Sequence, residues 1–231
     1  MTLRKDTKNV LLTLFFIVFA DMVGFGLIIP LLPYYAKQFG AEDVVVGFLS
    51  TIYPLGQIFA APLIGRLSDK FGRKIALLLS VGGTFLSLLI LGFARSLTFI
   101  FVSRLLDGLT GGNISVAQSY ISDFSDEKSR SKSLGLIGAA FGLGFILGPA
   151  IGGFLSRWGF SVPAFFASAL ALMNLINIIV FLPDSKPATD PRKVPYTFEE
   201  LVKTFKQPKV ASLLFTRLFY SLGFTTFESS F

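Results

Sequence analysis

GRLSDKFGRK, the segment Gly65–Lys74, is a short charged stretch between two long apolar runs. Five of its ten residues carry a charge, and about twenty mostly apolar residues precede and follow it. A soluble core does not accommodate so many charges between two such runs. The segment therefore predicts a short cytoplasmic link between two membrane-spanning helices.

The composition also favours a membrane protein. Hydrophobic residues make up 52% of the 231 residues and charged residues 15%, against about 25% charged in a soluble domain. The chain has no Cys and no His, which excludes a disulfide framework and removes the commonest acid–base residue and metal ligand. Since the sequence also lacks a nucleophile–base pair, a metal cluster and a phosphate loop, we expect neither an enzyme nor a cofactor or metal.

Six apolar runs are long enough to cross about 30 Å of hydrocarbon as helices. They are Val10–Leu32, Val44–Ile64, Ile75–Phe93, Leu97–Ile121, Leu134–Leu155 and Phe160–Leu182. A seventh run begins near Val210 and continues to Phe231. The sequence therefore predicts an all-α polytopic membrane protein, with a six-helix transmembrane domain in residues 1–182. A cytoplasmic linker in residues 183–209 and the start of a second transmembrane domain in 210–231 follow.

The basic residues are distributed unevenly across the predicted membrane. Sixteen of the 21 Lys and Arg residues fall on the side that holds the N-terminus, and three fall on the other side. By the positive-inside rule, the N-terminus is cytoplasmic. This topology explains the net charge of +7 without a nucleic-acid partner. We expect a multi-pass protein of the plasma (inner) membrane, with the lipid bilayer as its surroundings.

Ionisable residues inside the spans are candidates for a proton-coupling site, because each costs about 2.5–3.5 kcal/mol near the membrane centre. Asp21 lies in the first span, and Arg104 and Asp107 lie on one face of the fourth. Burial disfavours the charged form of a carboxyl group and a nearby arginine favours it. We predict that Asp21 carries a proton and that Arg104 exchanges partners among Asp21, Asp107 and a substrate. The alternative is a static ion network.

Two further ionisable residues, Arg217 and Glu228, lie in the incomplete seventh span. Among the polar residues of the other spans, three are candidates for lining a substrate cavity: Gln57, Asn113 and Gln118. Hydrogen bonds between helices explain these three equally well.

Small residues predict close helix packing in two spans. In the fourth, Gly108 and Gly112 lie on one face in a pattern that allows helices to approach closely. In the fifth, Gly144, Gly148 and Gly152 recur every four residues, and Pro149 favours a kink. We predict that this glycine strip lies at the seam between two halves and acts as a gate. The alternative is ordinary close packing.

Four motifs occur in the order known from one transporter family. They are Asp21 with Gly24, Gly26 and Pro30; the Gly65–Lys74 segment; Arg104 with Gly108 and Gly112; and the glycine–proline run of the fifth span. Over about residues 8–185, the chain resembles the N-terminal half of a major facilitator superfamily transporter, followed by one more helix. Within that superfamily it is most similar to the drug:proton antiporters, which include tetracycline-efflux proteins.

The resemblance implies a cytoplasmic latch in the Gly65–Lys74 segment. Its residues would be Gly65, Asp69, Gly72, Arg73 and Lys74, with Asp123 as a partner of Arg73. The latch would form when the transporter faces outward and break when it faces inward. The alternative is that Asp69 only caps a tight turn.

The chain departs from the family pattern in two places. Tetracycline exporters carry a further acidic residue in the third span, whereas Gly83–Leu88 is uncharged here, which argues against tetracycline as the substrate. The chain also ends within the seventh span, so we expect it to need a missing C-terminal half or a second copy of itself.

The sequence thus predicts a secondary active transporter that exports a small amphipathic or cationic compound, such as a drug, in exchange for protons. Its partners would be that compound, protons and the lipid bilayer. One alternative is a proton symporter or facilitator for a sugar or metabolite. Another is a membrane scaffold or receptor that transports nothing.

Overall fold

Residues 5–124 and 127–184 are described by the computed structural model, together with scattered positions between 207 and 219. Regular structure in these residues is helical, as the sequence predicts. The helices are α1 (Lys5–Ile28), α2 (Leu32–Gln38), α3 (Asp43–Phe71), α4 (Arg73–Gly92), α5 (Leu97–Thr110), α6 (Asn113–Phe124), α7 (Glu127–Leu155) and α8 (Ser161–Phe181). Single 3-10 turns at Ile29–Leu31 and Ser156–Trp158 follow α1 and α7.

The chain divides into two units, Met1–Thr189 and Asp190–Phe231, and the eight named helices belong to the first. In the second unit, the described positions from 208 to 219 are helical. The remainder of the predicted linker and of the seventh span, with Arg217 and Glu228, lies outside the described residues.

Five of the predicted spans are helical segments long and apolar enough to cross a membrane. The first extends beyond its predicted end, from Val10 to Gln38, because the chain turns at Pro30 and continues directly into α2. Prolines inside α3 and α7 do not end these helices, so Pro149 leaves α7 uninterrupted. Neighbouring helices and local adjustments supply the missing hydrogen bonds in such positions.

The fourth predicted span, Leu97–Ile121, is not one continuous helix. It consists of α5 and α6, which Gly111 and Gly112 separate. Two adjacent glycines weaken a helix because glycine loses the most backbone freedom on folding. Gly111 adopts an extended conformation, with φ −65° and ψ 112°, and so ends α5. The prediction of a single helix was wrong here.

Two apolar clusters lie one above the other along the bundle. The first includes Leu14 and Ile17 of α1, and the second begins on α1 at Leu27. On α4 the first cluster ends at Val81 and the second starts at Leu88. The stretch of α4 between them and the adjacent end of α5 carry polar side chains. The candidate site lies among these polar side chains, between the two apolar clusters.

Candidate functional site

A buried ion pair lies between the two apolar clusters. Arg104 and Asp107, three residues apart on α5, are only 2% and 7% exposed. Arg104 Nη1 lies 3.2 Å from Asp107 Oδ2. Arg104 also donates to Ser103 Oγ at 3.3 Å, and Ser103 Oγ donates to the carbonyl of Ser87 on α4 at 2.8 Å. The pair is thus connected to α4 as well as to its own helix.

The uncharged segment Gly83–Leu88 forms the wall beside Asp107. The hydroxyl groups of Thr84 and Ser87 face its carboxylate. Helices α4 and α5 come close here because Gly83 has no side chain. A Cβ atom on Gly83 would overlap the side chain of Thr110. The position where the family resemblance led us to look for a second acid therefore holds hydroxyl groups that can donate to Asp107.

Asp21 has a different partner from the one expected. Its Oδ1 accepts a hydrogen bond of 2.8 Å from Asn113 Nδ2 in the first turn of α6. In the part of the chain that the structure describes, the ion-pair partner of Arg104 is Asp107. Arg104 Nε and Asn113 Oδ1 are buried and have no hydrogen-bond partner there. The polar layer of the bundle consists of Asp21, Arg104, Asp107 and Asn113.

The break in the fourth span positions Asn113. The backbone N–H of Gly111 donates to Gly108 O, which closes α5, and α6 starts two residues later. Gly112 packs against α3, since a Cβ atom on it would lie 2.6 Å from Ile64 Cγ2. The two glycines thus redirect the chain next to α3 and place Asn113 where it reaches Asp21.

An aromatic residue that the sequence analysis missed lies next to the polar layer. Tyr53 of α3 is close enough to Asp21 and Asp107 to interact with their charges, and its hydroxyl accepts a hydrogen bond of 2.9 Å from Gln57 Nε2. Its ring centroid lies 5.7 Å from that of Phe25. Tyr53 could have been found because it precedes Gln57 by four residues and so shares its helix face.

The other predicted cavity residue, Gln118, is exposed on α6. The glycines of the fourth span pack as expected. A Cβ atom on Gly56 of α3 would lie 2.9 Å from the carbonyl carbon of Gly108. Close approach of α3 to α5 therefore needs both glycines, of which the sequence analysis named only Gly108.

The glycine strip of α7 lies against α1. A Cβ atom on Gly144 would lie 2.6 Å from Met22 Cβ, and one on Gly152 would lie 2.8 Å from Leu27 O. A Cβ atom on Gly148, between them, would lie 2.8 Å from the carbonyl carbon of Gly26. The strip is a contact inside the six-helix domain. This differs from our expectation that it would lie at a seam between halves.

The charged Gly65–Lys74 segment joins α3 and α4 through one residue. Gly72 has φ +96° and ψ 156°, a conformation that favours glycine. Arg73 Nη1 lies 2.7 Å from Asp69 Oδ1, and Arg73 Nε lies 2.9 Å from Asp123 Oδ2 at the end of α6. Asp69 is thus an ion-pair partner of Arg73 across the turn. Gly65 has open space around it.

Lys74 takes part in a separate contact. Its Nζ lies 3.1 Å from Asp184 Oδ1 and 3.3 Å from the carbonyl oxygen of Ile179. Beside it, the hydroxyl of buried Tyr120 donates to Pro183 O at 2.6 Å. The chain leaving α8 is thus held against α4 and α6. The sequence alone does not predict this contact, because Tyr120 lies within an apolar span and no sequence pattern distinguishes it from its apolar neighbours.

Comparison with known proteins places this geometry in a family. Residues 14–231 match the Major Facilitator Superfamily model. Tetracycline resistance protein, class B, of Escherichia coli is 38% identical over 177 residues, which are 75% of this chain and 44% of that protein. Multidrug resistance protein 2 of Bacillus subtilis is 34% identical over 182 residues, 78% of this chain and 46% of that protein.

A solved structure agrees in fold. The human organic anion transporter MFSD10 (TETRAN) superposes with a TM-score of 0.71 at 28% identity, over 80% of this chain and 50% of that one. The chain spans about half the length of the relatives it matches. Its long apolar helices and these relatives identify it as an integral membrane protein. The chain belongs to the Major Facilitator Superfamily, a family of transporters of small molecules, and not of enzymes.

Proposed function

We propose that this protein exports a small amphipathic or cationic compound in exchange for protons. The observation that carries this proposal is the position of Asp21, a carboxyl group held by Asn113 between two apolar clusters of the bundle. A carboxylate at such a depth needs a functional reason, because it is costly there. The names of the relatives, which refer to tetracycline and multidrug resistance, support export of a drug.

Asp21 is the proton carrier in this proposal. Loss of its proton would create a negative charge beside Tyr53, and a cationic compound would compensate that charge. Arg104 would tune the site by pairing with Asp107, as it does in this structure, or by moving its unpartnered Nε toward Asp21 or a substrate. Proton and compound would then occupy the site alternately, which is the requirement for exchange.

The contact of Arg73 with Asp69 and Asp123 would act as the latch on the cytoplasmic side. In this proposal the N-terminus is cytoplasmic and the protein lies in the plasma (inner) membrane, in agreement with the distribution of Lys and Arg. The second half of the transport cavity would come from a further six-helix domain or from a second copy of the chain. Gly83–Leu88, with hydroxyl groups and no acid, favours a substrate other than tetracycline.

The test is drug-driven proton release from acid-loaded everted vesicles that contain the protein expressed from its complete reading frame. We expect Asp21→Asn to reduce this release at least about tenfold, while the amount of protein in the membrane stays the same. The matched control is Asp43→Asn, which removes a carboxylate that is 90% exposed and pairs with Lys37. Normal release by Asp21→Asn would contradict the role of Asp21.

The same vesicles separate the alternatives. A compound that moves in the same direction as the protons would indicate a symporter. No flux of any compound, with an unchanged phenotype for Asp21→Asn, would indicate a scaffold or receptor.

A further inference from the structure

The side chain of Asn113 uses only half of its hydrogen-bonding capacity. Its Nδ2 donates to Asp21 Oδ1 at 2.8 Å, whereas its Oδ1 is buried and has no partner in the described part of the chain. The residue as a whole is 5% exposed. Buried polar atoms in native proteins almost always have a partner, so an unpaired acceptor next to an ionisable group calls for an explanation.

The two charge states of a carboxyl group need opposite partners. An ionised carboxylate only accepts hydrogen bonds, whereas a protonated one also carries an O–H group that must donate. The amide of Asn113 offers a donor and an acceptor on the same carbon atom. A half turn of the amide exchanges Nδ2 and Oδ1, and rotation about this bond is broad and nearly two-fold in its preferences.

Among the groups around Asp21, Asn113 is the one suited to pair with both charge states of its carboxyl group. The ionisable groups that face it are Asp107 of α5 and Tyr53 of α3. Arg104, the nearby cation, pairs with Asp107. Helices α6, α7 and α8 also pack against α1. The ionisable residues of α6 are Tyr120 and Asp123 near its C-terminal end, and α8 and the part of α7 beyond Lys132 carry none. In the described residues, no Lys or Arg forms an ion pair with Asp21.

We propose that Asn113 is a positioning residue that holds Asp21 in both protonation states by turning its amide over. In the ionised state, Nδ2 donates to the carboxylate, as in this structure. In the protonated state, the O–H of Asp21 donates to Oδ1. Asp21 can then gain and lose a proton without losing its contact between α1 and α6. This role deepens the proposed function, because it presupposes that Asp21 changes its protonation state.

The direct test is infrared spectroscopy of the purified full-length protein in lipid nanodiscs, with 13C-labelled asparagine side chains. The Asn113 carbonyl band is assigned by its absence in Asn113→Leu, and the protonated carboxyl band of Asp21 by its absence in Asp21→Asn. We expect the Asn113 band to shift with the same pH midpoint as the Asp21 band. We also expect this shift to disappear in Asp21→Asn. An Asn113 band that stays constant while Asp21 titrates would overturn the proposal.

Asn174→Leu is the matched control, because Asn174 is equally buried and donates at 3.0 Å to Ile17 O, which is also on α1. We expect Asn113→Leu to displace the Asp21 midpoint by about one pH unit or more, and Asn174→Leu to leave it in place. Asn113→Gln, which keeps a donor and an acceptor, should restore the midpoint. Equal midpoints in both Leu variants would contradict the role of Asn113.

These readouts do not depend on transport. If Asp21 titrates with Asn113 but its loss leaves export intact, the proposed function fails and the amide rotation stands. If export needs Asp21 but the Asn113 band is constant, only the amide rotation fails. If Asn113→Leu does not fold, Asn113→Gln, whose glutamine side chain carries no label, assigns the Asn113 band instead.

Discussion

Arg73 Nε donates to Asp123 Oδ2 at 2.9 Å, so the first residue of α4 is tied to the end of α6. The same guanidinium group contacts Asp69 near the end of α3 through Nη1. One side chain thus connects the ends of three helices. Breaking this contact should affect which of the two transport states is populated, not the fold of the bundle.

We expect Asp123→Asn to shift the population toward the state that is open on the cytoplasmic side, by at most about fivefold. The reason is that partly exposed ion pairs contribute only about 0.2–1 kcal/mol, and Asp123 is 50% exposed. The measurement is maleimide labelling of Gln118→Cys from the cytoplasmic side, in a segment with no other cysteine. Asp43→Asn, the control, should leave the labelling rate unchanged. Equal rates in the two variants would count against a latch.

The glycine strip of α7 allows a test of close packing on α1. In Gly148→Ala the new Cβ atom would meet backbone atoms at 2.8 Å, and these cannot move aside easily. We expect a loss of about 1–3 kcal/mol in stability. Thermal unfolding in detergent measures the loss. Gly153→Ala, on the same helix with open space around it, should unfold at the wild-type temperature.

Two adjacent glycines of α4 differ in the same way. A Cβ atom on Gly83 would overlap Thr110, whereas one on Gly82 would lie 4.0 Å from its nearest neighbour, Leu175 Cδ2. We expect Gly83→Ala to separate α4 from α5 and lower the unfolding temperature. Gly82→Ala should have little effect, or slightly stabilise α4, because alanine favours helix. Similar unfolding temperatures for both variants would show that the contact with Thr110 is loose.

Tyr120 should stabilise the connection that follows α8. In Tyr120→Phe the hydrogen bond from the tyrosine hydroxyl to Pro183 O is lost. Loss of this one hydrogen bond should cost about 0.5–1.5 kcal/mol, measured as a lower unfolding temperature. Tyr34→Phe removes a hydroxyl group from a side chain that is 63% exposed, and it should cause no change.

The parts of this structure that follow from local sequence could be predicted. Long apolar runs gave five of the helical spans. The contact of Arg73 with Asp123 was expected from the family resemblance, not from the charges of Gly65–Lys74 alone. The break at Gly111 and Gly112 could not be found in this way, because apolar residues continue on both sides of it. Glycine pairs also occur inside intact helices, as at Gly82 and Gly83.

The partners of buried polar groups were harder to predict than the groups themselves. Asp21 was recognised from its cost in a membrane, but its bond to Asn113 depends on how far the chain turns after α5. The direction of the α7 glycine strip likewise depends on which helix packs on it. These contacts depend on tertiary packing between residues far apart in the sequence. Gly26 and Gly148, for example, are more than a hundred positions apart.

The single-residue connection between α3 and α4 makes α4 a lever. Its 20 residues extend about 30 Å from Gly72. A tilt of about 10° at that residue would carry its far end sideways by about 5 Å, roughly one helical turn. Thr84 and Ser87, which lie more than halfway along α4, would move by about 3 Å. A small change where Arg73 meets Asp69 and Asp123 would thereby become a larger displacement beside the carboxylate of Asp107.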